Sequence, residues 1–163
     1  MSNMRHVILS AFAGIGLGLF AGGKFIGRQY EKHCELIEKQ ADRFSETSAL
    51  MQQWVKVYQS GHNLQDYFKK NNYRKIAVYG MSEIGYMILK ELEETEIEVL
   101  YCIDKNADNL FAKIDVRRPD EELQPVDAVI VAVIHFYDEV KDALQEKLDC
   151  PIISLSDVVW EVS

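Results

Sequence analysis

The feature that most constrains this chain is a strand–turn–helix–strand pattern beginning at Lys75. Two short apolar runs, KIAVYG (Lys75–Gly80) and EVLYCID (Glu98–Asp104), flank a stretch with apolar residues at helical spacing, Ile84, Met87, Ile88 and Leu92. Between their charged ends the runs are continuously apolar rather than alternating, so both faces of such strands must be covered. That is the signature of a parallel sheet with helices on its two sides. The pattern continues with a short strand over Lys113–Val116 and the strongly apolar run DAVIVAVI (Asp127–Ile134). A helix over Phe136–Leu148, a last strand PIISL (Pro151–Leu155) and a closing turn or helix over Asp157–Val162 complete it. Right-handed crossovers then predict the strand order 3-2-1-4-5, with a crevice where strands 1 and 4 diverge.

The first turn reads Gly80-Met81-Ser82-Glu83-Ile84-Gly85. This is the dinucleotide-binding fingerprint with serine at its middle glycine. The first glycine serves the tight turn and the last lets helix and strand approach closely. The middle one normally lets a pyrophosphate press against the backbone at the helix N-terminus. Ser82 is small and offers a hydroxyl, so phosphate binding there is weakened rather than excluded. Asp104 stands at the tip of the second strand, followed by Lys105, where an acid can accept hydrogen bonds from a ribose diol. The expectation is an α/β, Rossmann-like five-stranded parallel sheet over residues 61–163 with Gly80, Met81, Ser82, Glu83, Ile84, Gly85, Asp104 and Lys105 as cofactor-binding residues. A scaffold that keeps its glycines for packing alone is the competing reading.

The segment NYRKIAVYGMSEIGYMILKELEETEIEVLYCIDKNADN resembles the small Rossmann-like NAD(P)- and nucleotide-binding domains of bacterial surface-polysaccharide and sugar-nucleotide biosynthesis proteins. It is similar to the N-terminal domain of sugar acyltransferases and to the NAD-binding start of sugar-nucleotide epimerases and dehydratases. The Tyr-Gly-x-x-x-x-Gly turn and the Ile-Asp-Lys-Asn after strand 2 carry the resemblance, which covers about residues 72–163. It implies NAD or another nucleotide as cofactor. The family has glycine where this chain has Ser82.

Ahead of this domain, Val7–Ile26 reads VILSAFAGIGLGLFAGGKFI, interrupted only by Ser10 and Lys24. Twenty helical residues rise about 30 Å, the thickness of a bilayer core. Residues 1–27 are therefore expected to form a transmembrane anchor. A secretory signal peptide is the alternative, but only Arg5 precedes the run and no persuasive cleavage site follows. Arg28, Lys32, Lys39 and Arg43 follow it, which predicts a single-pass protein of the cell membrane with its C-terminal domain in the cytoplasm. Gly14, Gly18 and Gly22 recur at four-residue spacing, a face on which two membrane helices can approach closely.

From Arg28 to Gln59 there is neither Pro nor Gly. Apolar or small residues fall at Tyr30, Cys34, Ile37, Ala41, Phe44, Ser48, Met51, Val55 and Tyr58, a strict 4-3 alternation. This heptad spacing over residues 28–60 predicts a long amphipathic or coiled-coil helix that joins two copies of the chain. A helix folded back on its own domain is the alternative. It fits the last two turns best, where Trp54, Val55, Val57 and Tyr58 broaden the stripe beyond a narrow seam, so the first part is expected to dimerise and the last two turns to dock on the domain. Gly61 supplies a stop, and Asn63 a cap for a short helix over Leu64–Lys70.

Charge is strongly segregated. Residues 91–163 hold six Lys and Arg against nineteen Asp and Glu, which opposes a nucleic-acid backbone. Cys34, Cys102 and Cys150 are widely spaced and accompanied by no His cluster, so neither a metal site nor a disulfide framework is expected. The Tyr-x-x-x-Lys pair of short-chain dehydrogenases, in which the lysine lowers the tyrosine pKa, occurs at Tyr86/Lys90, Tyr101/Lys105 and Tyr137/Lys141. Only the last lies beside the expected crevice. Catalytic residues are not expected; the candidates to test are His135, Tyr137 and Lys141.

These readings converge on a membrane-anchored, dimeric module that binds a nucleotide-type ligand. Its expected place is regulatory or scaffolding, beside enzymes of envelope-polysaccharide synthesis. The alternative is a subunit of an NAD- or sugar-nucleotide-dependent enzyme whose active site a partner completes, because the length leaves no second half-sheet or substrate domain.

Overall fold

The computed structural model describes residues 2–162, with side chains from Tyr30 onward. Helix α1 covers Ser2–Gln59, and the chain divides into two compact units, residues 1–45 and 46–163. The division falls inside the stretch that the heptad pattern marks as residues 28–60.

The first unit is helical. From Tyr30 to Ser45 its side chains are all exposed, Tyr30, Ile37 and Phe44 included. The single-pass membrane localisation expected from the apolar run is corrected here. Among the described residues no helix is long and apolar enough to cross a membrane. Between Glu31 and Glu46, α1 carries eight charged side chains, which hydrocarbon would not accept cheaply. The run Val7–Ile26 itself, with Gly14, Gly18 and Gly22, lies outside the residues whose side chains are described.

The second unit is built on five parallel strands: β1 (Lys75–Tyr79), β2 (Glu98–Ile103), β3 (Val116–Arg117), β4 (Ala128–Val131) and β5 (Ile152–Ser154). Their order is β3-β2-β1-β4-β5, as the alternation of strands and helices predicts. β1 and β4 are buried along almost their whole length, which is why they carry no polar alternation. The start of β1 is held by Asp127, whose Oδ2 accepts the N–H groups of Arg74 and Lys75, both at 2.8 Å.

Each face of the sheet has its own core. Ile76, Val78, Cys102, Ala128, Ile130 and Ile153 face α2 (Leu64–Lys70), α3 (Glu83–Leu92), α5 (Leu155–Val162) and the last turns of α1. Ala77, Tyr79, Tyr101, Ile103, Val129 and Val131 face α4 (Tyr137–Gln145), through Val140 and Leu144. The α1 turns belonging to this unit bury Leu50, Trp54 and Val57. A single carboxylate ties three helices on this side. Glu91 of α3 accepts the Trp54 indole N–H at 2.6 Å and the Leu64 amide of α2 at 2.7 Å.

Gly61, in the left-handed region at φ +83°, ends α1, and Asn63 begins α2 with a reciprocal cap: its side chain accepts from the Gln65 amide while Asp66 accepts from its own. Between β2 and β3 the chain makes only a 3-10 turn, Ala107–Asn109, where a doubly wound sheet usually carries a crossover helix.

Candidate functional site

Parallel sheets present their ligand-facing loops at the C-terminal strand ends. In this chain a cavity of about 460 Å³ opens there, between the ends of β1, β2 and β4 and one face of α4. Three of the expected residues line it: Gly80 at the end of β1, and Asp104 and Lys105 beyond β2. The other five lie elsewhere. Met81 is buried in the α3-side core, Ile84 packs against that core, and Gly85 is buried under the turn. Ser82 and Glu83 are exposed at the start of α3, and the Ser82 side chain makes no bond to the helix amides.

Both glycines are required by the local geometry of the turn. Gly80 has φ +94°, and a Cβ there would meet the Val133 Cγ1 at 2.7 Å. A Cβ on Gly85 would meet the carbonyl oxygen of Gly80 at 2.2 Å, a contact no side chain can relieve. The substituted middle position tells a different story. Ser82 sits at φ −79°, ordinary extended backbone open to any residue, so nothing in the fold requires glycine there.

Asp104 is engaged from within. Its Oδ2 accepts the Met81 amide at 2.7 Å and its Oδ1 the Asn106 amide at 2.8 Å. The carboxylate thus caps the turn with the negative charge that a phosphate would otherwise bring. Each oxygen keeps a lone pair for a further donor such as a sugar hydroxyl. Val133 fills the space beside Gly80 between β1 and β4, which confines the open volume to the β2 and α4 side of the crevice.

The rest of the wall was not singled out from sequence. Phe136, Val140, Ala143 and Leu144 form an apolar side, and Lys147 and Asp120 stand at the rim. Positions 136, 140, 143/144 and 147 share a helical spacing that every amphipathic helix shows, and Asp120, in the loop after β3, carries no signal. Lys147 donates to the Pro119 carbonyl at 2.6 Å, and Asp120 accepts from Arg118 at 3.1 Å. The bond from Arg118 holds the Asp120 carboxyl below its usual range, and burial, with Asp104 nearby, pushes the Tyr79 hydroxyl up.

The three candidate catalytic side chains are placed apart from this wall. His135 follows β4, but its ring turns to α1, with Nδ1 3.0 Å from Glu46 and Nε2 3.0 Å from the Thr47 hydroxyl. Tyr137 donates its hydroxyl to the Ile152 carbonyl at 2.9 Å. Lys141 lies 5.6 Å from the centre of the Tyr137 ring, so the pair meets as cation and aromatic face, with the phenol oxygen tied to β5.

A larger cavity, about 720 Å³, opens on the α3 side of the sheet below the helix-free connection, among Leu92, Ile97, Val99 and Ile114. It lies at the N-terminal end of β2, away from the loops where an open α/β sheet assembles polar ligand contacts. The smaller cavity is therefore the candidate site.

Sheet order and helix placement define an α/β domain with a parallel sheet in the order 3-2-1-4-5, and the candidate cavity lies over its C-terminal strand ends. The family model described as C2185-like, N-terminal, matches residues 72–151. That segment runs from just before β1 to just before β5 and contains every residue of the cavity wall. No curated protein and no solved structure matches the chain.

Proposed function

We propose that the domain is a binding module for a nucleotide-type ligand, NAD or a sugar nucleotide being the chemistry that fits, and that it works as a homodimer joined along α1. The cavity at the ends of β1, β2 and β4 is the observation that carries the first half. Its volume falls in the range of small-molecule sites. Asp104 faces a position for a ribose or hexose hydroxyl, Lys105 and Lys147 supply positive charge for a phosphate, and Phe136 and Val140 offer an apolar wall to a base. With the Met81 amide occupied by Asp104, phosphate recognition falls to those lysines rather than to the glycine turn. The module has no catalytic step assigned to it: the His135 ring and the Tyr137 hydroxyl are held by structural partners. A regulatory or scaffolding role beside envelope-polysaccharide enzymes rests on the resemblance of residues 72–163 alone.

The dimer reading is supported by the two faces of α1. Leu50, Trp54 and Val57 are buried in the domain, yet Val55 and Tyr58 on the same turns stay exposed, as do Phe44, Ile37 and Tyr30. Docking therefore leaves these heptad positions open. A parallel, in-register copy sets Ile37 and Phe44 against their own kind and brings His33 of one copy beside Glu38 of the other.

The test is thermal unfolding of the full chain with NAD, NADP, coenzyme A and UDP-sugars. Saturation at 100 times the dissociation constant stabilises a native state by about 2.7 kcal/mol. Ala143→Phe, which fills the cavity from an exposed helix position, should abolish the shift. A panel with no shift removes the ligand reading. For assembly, oxidation should cross-link wild-type chains through exposed Cys34, and Phe44→Glu should sediment as a monomer. A dimeric Phe44→Glu variant refutes the seam.

A further inference from the structure

We propose that the turn after β4 couples the cavity to α1 through His135, so that occupancy of the cavity and the seating of α1 on its domain bias each other. The proposal names the regulation of the site described above and rests on that site's being a ligand site. The element concerned is the 3-10 turn Ile134–Phe136 with Val133 before it. Residues three apart on such a turn project to the same side. Val133 and Phe136 accordingly both line the cavity. His135, between them, projects to α1 and is gripped at both ring nitrogens, by Glu46 and by Thr47, each at 3.0 Å. With its proton on Nδ1, the ring donates to the Glu46 carboxylate and accepts from the Thr47 hydroxyl, so one neutral tautomer satisfies both bonds.

The turn has little slack. The Phe136 amide bonds the Val133 carbonyl at 2.9 Å, Val133 abuts Gly80, Ile134 packs into the α3-side core, and Tyr137 is pinned to β5. A displacement of Phe136 or Val133 by a ligand therefore reaches His135, one residue from the first and two from the second. A displacement of α1 reaches the cavity wall by the same route. The turns of α1 gripped this way continue to Val55 and Tyr58, the exposed positions assigned to the seam. A second clamp, Glu91 to Trp54 and Leu64, also seats α1 but belongs to no part of the cavity wall. The two clamps make different predictions. By linkage, a ligand that needs Val133 and Phe136 in place must bind more weakly when the His135 grip is removed, and must strengthen that grip when it binds.

Hydrogen exchange on the full chain separates these effects, comparing wild type, the double variant Glu46→Ala/Thr47→Val, and Glu91→Gln. Without ligand, the Phe136 amide of the double variant should exchange about tenfold faster, the scale of one or two lost hydrogen bonds. The Met81 amide, held by Asp104, should not change. Glu91→Gln should speed exchange at Leu64 and leave Phe136 at the wild-type rate. With NAD as probe, the wild type should gain protection at Phe136 and along Thr47–Leu50, and the double variant alone should bind about fivefold more weakly. An unchanged Phe136 rate in the double variant, an equal rise in Glu91→Gln, or equal NAD affinity in all three proteins overturns the coupling. If NAD binds none of them, the ligand reading falls instead, and the Phe136 rates of the unliganded proteins still decide whether α1 and the turn are coupled.

Discussion

Alanine at the two glycines of the β1–α3 turn should destabilise the domain for different reasons, and a third substitution separates them. At Gly80 the added methyl meets a side chain, Val133 Cγ1 at 2.7 Å, on a residue with φ +94°. Left-handed backbone costs an L-residue about 1–2 kcal/mol, and crowding adds about 1 kcal/mol more. At Gly85 the methyl would lie 2.2 Å from the Gly80 carbonyl oxygen. Ordinary carbon–oxygen contacts begin near about 3.3 Å, so α3 must move roughly 1 Å from the turn. Overpacking of that size costs about 3 kcal/mol, or about 10 °C in Tm for a domain this large. Shortening Val133 to alanine relieves the first clash and leaves the second, which is with backbone. Urea unfolding of the full chain should show Gly80→Ala and Val133→Ala coupled by about 1 kcal/mol, with Gly85→Ala and Val133→Ala additive. Additivity in the first pair would refute the Val133 clash at Gly80, and a Gly85→Ala cost below about 1 kcal/mol would refute the backbone clash at Gly85.

Two further outcomes follow from the titrating groups. Burial, reinforced by Asp104 and Asp115, pushes the Cys102 thiol up to about 12, whereas Cys34 is exposed. Iodoacetamide near pH 8 should label Cys34 more than about a hundredfold faster than Cys102, read by peptide mass spectrometry, and comparable rates would contradict the burial of β2. The Lys75 and Arg74 amides hold the Asp127 carboxyl below its ordinary 3.8. Stabilisation from a lowered carboxyl is complete above its unfolded-state value and is lost as pH falls through the folded-state value. Asp127→Ala should therefore lower Tm at about pH 7, with the gap to wild type closing below about pH 4; a gap that stays constant into acid would count against the bond to the start of β1.

Much of the domain was legible because its signals are local. The run AVIVAVI that follows Asp127 is apolar at every position because both faces of β4 are covered, and that requirement is written into consecutive residues. The cavity was only partly legible. Gly80 and Asp104 were found because a turn and a strand tip fix their neighbours within a few residues. Val140 and, at the two ends of α4, Phe136 and Lys147 were missed because their membership depends on how that helix is turned against the crevice. His135 shows the converse. Its position after β4 suggested chemistry, but the ring is claimed by Glu46 and Thr47, almost ninety residues earlier in the chain. The sequence-based membrane localisation falls as well, since no described helix is apolar enough to span a bilayer.

The strand–helix alternation, the parallel order of the sheet and the two glycines of the first turn could be read from the residues in order. The alternation and the glycines follow from patterns of polarity and backbone freedom within some thirty residues, the length of one strand–helix–strand unit, and the order follows from right-handed crossovers between such units. Only the tertiary structure decided that Asp104 spends its charge on the Met81 amide, and that Val133 closes the crevice beside Gly80. It also decided that α1 buries Leu50, Trp54 and Val57 while leaving Val55 and Tyr58 outside. Those outcomes depend on the rotation of one packed element against another. Heptad spacing in α1 marks a stripe wide enough for two faces, and the domain that packs against the helix selects which of them remains open.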